Sequence, residues 1–119
     1  MLLSEQAAGL AARFTLVAPP LMWSEAASAL RSAVYRKELN GQAAGEAIRR
    51  LAQVEIQRSI PATLYLEAWA IAEQLGWAKT YDAEYVALAR ILNCPVITRD
   101  ARLKRGADSL VPIVGPDEL

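Results

Sequence analysis

Apolar and polar positions follow two rhythms along the chain, one of short alternating runs and one of helical repeats. Residues 14–18, FTLVA, form a short β-prone run that Pro19-Pro20 ends. Over 21–39, Met22, Ala26, Ala29, Leu30, Ala33 and Val34 recur at helical spacing, and Asn40-Gly41 predicts the stop. Residues 41–53 predict a second helix, although Gly45 weakens it. Positions 54, 56, 58 and 60 alternate as a strand before Pro61. A helix over 62–76 is closed by Gly76 at the C′ position. Another, over 80–93, has Thr80 as N-cap and a stripe of Tyr81, Tyr85, Leu88, Ala89 and Leu92. Short apolar strands follow at 95–98 and 109–114, and the chain opens with a helix from Ser4 to about Ala12. Helices alternating with short apolar strands indicate an α/β sandwich with a mainly parallel sheet.

Composition narrows the chemistry. The 119 residues suit a single domain, 1–119, with no linker or repeat to divide it. At 54% apolar and 22% charged the chain reads as globular, and it lacks an apolar run of about 18 residues that would span a membrane. Glu5 and Arg13 interrupt the segment that a signal peptide would keep apolar, so a cytoplasmic location is expected. Cys94 is the sole cysteine, and a small core residue before Pro95 is preferred to a nucleophile there. The 13 basic and 13 acidic residues give zero net charge, which argues against gripping nucleic acid by bulk charge. There is no histidine. Imidazole bases, Ser-His and Cys-His pairs and the usual zinc sites are thereby excluded, and hydrolysis would have to run on carboxylates with a hard cation.

Three acids fit that requirement. In open parallel sheets, ligands sit outside the carboxyl ends of the strands. Asp100 follows the strand at 95–98, Asp82 opens a helix, and Glu25 lies in the first turns after FTLVA. Each has a plain structural reading: Asp82 against the helix dipole, Asp100 as the cap of ARLKR, Glu25 as a solvated helix residue. Singly, those readings are preferred; placement on one expected edge tilts the balance toward a shared divalent cation.

The segment YDAEYVALARILNCPVITRDARL (81–103) resembles the second half of a PIN domain, in particular that of VapC-type toxins from bacterial toxin–antitoxin pairs. LVAPPLMWSEAASAL (16–30) is similar to the family's strand, proline turn and glutamate-bearing helix, and VPIVGPDEL fits its closing strand. The resemblance implies a PIN-like three-layer sandwich around a mainly parallel sheet. It carries the family's second, third and fourth acids onto Glu25, Asp82 and Asp100, with Thr98 as the hydroxyl beside the fourth. It further implies Mg²⁺ or Mn²⁺ as cofactor, RNA as substrate cut by an endoribonuclease, an antitoxin protein as partner, and a homodimer.

One departure is expected. The family begins with a strand bearing the first aspartate, whereas only Met1-Leu2-Leu3 precedes the first helix here. That strand and its aspartate are therefore read as missing, more readily by shortening than by decay, because the other three acids remain. The two open strand edges would invite oligomerisation or strand exchange. The alternative function is a catalytically inactive PIN-like module that binds a protein or RNA; a flavodoxin-like receiver is the weaker rival. Arg99, Arg102, Lys104 and Arg105, with Arg90, suit a phosphate backbone beside such a site, although solvated basic helices are commoner. Trp23, Trp69 and Trp77 are expected in the core, but their helices carry more apolar surface than one buried face needs.

Overall fold

The structure, a computed structural model, describes residues 5–119, which fall into two units. The first runs through Arg58 and the second from Ser59 to Leu119. The N-terminal strand and first aspartate treated above concern positions ahead of Glu5, outside the described residues.

In the first unit, α1 (Glu5–Arg13) leads into β1 (Leu16–Ala18), and Pro19-Pro20 turns the chain into α2 (Leu21–Tyr35). Pro20 stands at the N-cap with φ −54°, where its missing N–H removes no intrahelical bond. Met22 and Ala26 of the expected stripe are buried; Leu30, Ala33 and Val34 are half-buried and Ala29 is exposed.

The stop of α2 differs from expectation. Lys37 takes a left-handed φ of 61°, with the Glu38 N–H bonded to the Ala33 carbonyl at 2.9 Å and the Lys37 N–H to Val34 at 3.0 Å. That paired closure normally uses glycine. Asn40, predicted to end α2, instead starts α3 (Gly41–Gln53): its side-chain oxygen accepts the Ala43 N–H at 2.7 Å. An asparagine oxygen satisfies an orphan donor at a helix start, so Asn-Gly could be read either way. α3 buries Ala44 and Leu51 and packs on α2. β2 (Ile56–Arg58) then lies parallel to β1, Leu16 opposite Ile56 and Ala18 opposite Arg58. The two helices supply the crossover that a parallel pair requires.

The second unit begins with α4 (Leu64–Leu75), which buries Leu64, Ala68, Ile71 and Ala72. Gly76 closes it at φ 71°, and the Trp77 N–H returns to the Ala72 carbonyl at 2.8 Å. α5 (Tyr81–Leu92) packs on α4 and buries Ala83, Val86, Ala87, Leu88 and Ala89. Alanines on both helices shorten the side chains between them, which favours close approach of the axes. The predicted α5 stripe is corrected at its ends: Tyr81 and Leu92 are exposed in the terminal turns, and the buried arc centres on Ala83, Val86 and Ala87. Asn93, at φ 54°, ends α5 with the Cys94 N–H on the Ala89 carbonyl at 2.9 Å. β3 (Val96–Ile97), α6 (Ala101–Ala107), β4 (Ile113–Val114) and a 3₁₀ turn (Pro116–Glu118) complete the unit.

β3 and β4 pair in parallel, Val96 with Ile113 and Ile97 with Val114. Both pairings are thus of the parallel α/β kind expected. Among the described residues they form two two-stranded sheets, so each strand is hydrogen-bonded along one edge. No helix among the described residues is long and apolar enough to cross a membrane.

Candidate active site

Asp100 is the most fully built of the predicted site residues. β3 ends at Ile97, and three positions on Asp100 caps α6, its Oδ1 accepting the N–H groups of Arg102 at 2.9 Å and Leu103 at 3.3 Å. Its own backbone N–H donates to Thr98 Oγ1 at 3.1 Å. The hydroxyl of Thr98 therefore holds the backbone of Asp100 while the first turn of α6 holds its carboxylate. The second oxygen, Oδ2, takes no hydrogen bond among the described residues. The capping role and a ligand role are compatible, because they use different oxygens.

The two roles can be separated by substitution. Asp100→Asn keeps an amide oxygen for the cap, so its unfolding free energy should match the parent within about 0.5 kcal/mol, whereas Asp100→Ala should lose about 1 kcal/mol. Denaturant unfolding of both variants checks this; equal losses would remove the cap from the account.

Asp82 is exposed in the first turn of α5. α5 leads through Asn93–Pro95 into β3, and Asp100 begins α6 just beyond that strand. Thr80 occupies the N-cap position as predicted but makes no capping bond; its Oγ1 donates to Glu84 Oε2 at 3.4 Å. Glu84, not singled out from the sequence, is 6% exposed. Its i, i+4 spacing from Thr80 and from Leu88 is the signal that marks it for the buried side.

Glu25 belongs to the first unit, half-buried on α2 just after the carboxyl end of β1. Within neither unit do three His, Cys, Asp or Glu side chains among the described residues gather into a metal-binding group. As donors, Glu25, Asp82 and Asp100 offer only carboxylate oxygen, and Oδ2 of Asp100 is uncommitted; this set suits a hard divalent cation and no soft one.

Around Asp100 the basic side chains Arg99, Arg102, Lys104 and Arg105 are exposed, as is Arg90. Lys104 stands 3.7 Å from Glu118, an exposed pair of little energetic weight. Cys94 is half-buried, less deeply than the core position expected. Burial pushes its thiol up from the ordinary value, which keeps it protonated at neutral pH and a poor nucleophile.

The tryptophans divide. Trp23 and Trp77 are half-buried, whereas Trp69 on α4 is 67% exposed, a correction to the core assignment. With Leu66, 74% exposed, and Tyr65 it forms an apolar outer face on α4. A single polypeptide needs no such face for its own core.

A family model described as the PIN domain matches residues 3–108. A protein named VapC ribonuclease Mb0985, from Mycobacterium bovis, is 35% identical over 108 residues, covering 91% of this chain and 83% of the relative. One named Ribonuclease VapC9, from Mycobacterium tuberculosis, is similar to the same extent.

Proposed function

The chain belongs to the PIN-domain family, and we propose from that premise that it is a metal-dependent endoribonuclease, the toxin of a type II toxin–antitoxin pair. The observation that carries the reading is the run from Thr98 to Leu103. There a capped aspartate keeps one oxygen uncommitted at the end of a parallel strand, in a chain with no imidazole. We take residues 1–119 as one PIN-like domain, since the family match runs across the junction at Arg58 and Ser59.

In this reading Glu25, Asp82 and Asp100 hold Mg²⁺ or Mn²⁺, and Thr98 positions Asp100. The chemistry that a bound divalent ion supplies is polarisation of the scissile phosphate and a lowered pKa of the attacking water. The residues of the chain orient and neutralise. Arg99, Arg102 and Arg105 attract the RNA backbone, and the amide donors at the start of α6 fix the Asp100 carboxylate so that it need not reorganise. The exposed apolar face of α4 supports an antitoxin protein or a second copy of the chain as partner, and a cytoplasmic site of action accords with an RNA substrate.

The test is cleavage of a generic single-stranded RNA by the 119-residue chain, with Mn²⁺ and with chelator. Cutting that needs Mn²⁺ is the expected result. A folded chain that binds RNA but does not cut it under either condition would overturn the enzyme reading in favour of a PIN-like binding module.

A further inference from the structure

A second cationic feature belongs to the first unit. Arg58 is the last residue of β2 and stands in register with Ala18, the last residue of β1. From Ala18 the chain turns through Pro19-Pro20 into α2, whose first turn carries Trp23 and whose next positions include Glu25. The guanidinium carbon of Arg58 lies 5.1 Å from the centroid of the Trp23 ring. A charged side chain at the end of one strand is thus held against the helix that follows its neighbour, at the carboxyl edge where Glu25 also begins.

Arg58 is exposed and has no acidic ion-pair partner among the described residues. Two other cations have acidic partners, Arg36 bonded to Glu38 at 3.0 Å and Lys104 at 3.7 Å from Glu118. Arg13 also lies over an aromatic ring, but that ring is its neighbour Phe14, so the contact ties no two elements together. The Trp23 contact does. The contact with the ring uses none of the guanidinium N–H donors, which remain to bond the oxygens of an anion. An ammonium lacks the planar fork that matches two phosphate oxygens at once. The ordering of a long side chain is done before any ligand arrives, which strengthens whatever anion it meets.

We propose that Arg58, braced by Trp23, binds a phosphodiester of single-stranded RNA at the carboxyl edge of β1 and β2. The inference rests on the ribonuclease reading and assigns that activity a substrate-positioning pair outside the carboxylates and the α6 basic run. RNA is preferred to an acidic peptide as the natural ligand because the ribonuclease reading requires a phosphate held near the carboxylates, which an arginine on this edge would supply.

The experiment is binding of a fluorescein-labelled single-stranded oligoribonucleotide in chelator, followed by anisotropy over a range of salt, so that no cleavage enters. Arg58→Ala should weaken binding about tenfold. It should also reduce the slope of log affinity against log salt by about 0.7, the value for one lost phosphate contact on a single strand. Arg58→Lys should restore the slope but not the affinity, and Trp23→Phe should weaken binding about threefold with the slope unchanged. Arg58 ends an exposed strand, so its variants keep the fold, which circular dichroism checks. Arg58→Ala affinity within about twofold of the parent, with an unchanged slope, would overturn the proposal alone. Displacement of the RNA by polyglutamate through Arg58 would also overturn it, toward an acidic partner. Absence of RNA binding by the parent chain, together with absence of Mn²⁺-dependent cleavage, would instead remove the ribonuclease reading, and the proposal with it.

Discussion

Asp82→Asn is expected to lower RNA cleavage by about two orders of magnitude or more while leaving the chain folded. The amide is nearly isosteric with the carboxylate but carries no charge, so it is a poor ligand for Mg²⁺ or Mn²⁺. Structure alone gives little reason for instability. Asp82 is exposed in the first turn of α5, and the dipole stabilisation that it loses amounts to roughly 0.3–1 kcal/mol. A melting temperature lower by no more than about 4 °C should accompany the loss of cutting. Cleavage and thermal unfolding are measured on the same preparation. Full activity in the variant would dismiss Asp82 as a ligand, and joint loss of activity and fold would mean that the residue serves the helix.

The largest effect on stability is expected at Ile71. It is 1% exposed in the middle of α4, on the face shared with Ala68 and Ala72, and α4 packs on an α5 whose buried arc is itself mostly alanine and valine. Small neighbours give little side-chain length with which to fill a new void. Ile71→Ala should therefore cost about 2–5 kcal/mol, a large share of the roughly 5–15 kcal/mol that holds a domain of this size. Trp69→Ala, two positions away on the exposed face, should change monomer stability by no more than about 0.5 kcal/mol although it deletes a larger side chain. Urea unfolding of both variants decides. A Trp69 loss comparable with that of Ile71 would mean that the outer face of α4 is already covered in the folded chain in solution, as in a dimer.

The contrast between those two neighbours also shows where sequence patterning reads well and where it does not. Glycine and proline punctuation located α4 and the turn into α2 correctly, because those residues have a backbone preference that acts wherever they stand. The parallel pairing of short apolar runs followed from their alternation with helices. Lys37 was not legible as a helix terminator, since a lysine with positive φ is imposed by its surroundings rather than chosen by its own preference. Trp69 was misplaced because apolar content says nothing about which of two faces is covered. At the site, the cap on Asp100 was foreseeable from spacing alone. The buried Glu84 and the reach of Arg58 to Trp23 depend on contacts across elements, which no local pattern encodes. The assignment of Glu25, Asp82 and Asp100 to one cation drew on their expected placement at one sheet edge and, more strongly, on family resemblance, and the cleavage and substitution experiments bear on it directly.

The parallel strand pairs also dictate an order of assembly. Leu16 meets Ile56 only after the whole α2–α3 segment has been laid down between them, whereas Val96 meets Ile113 across little more than α6. Closing the longer loop costs more chain entropy, and that cost falls before the strand hydrogen bonds can offset it. The helical hairpin turned by Lys37 and capped by Asn40 shortens the effective loop by forming locally first. The turn at residues 36–41 thus bears on how readily β1 finds β2.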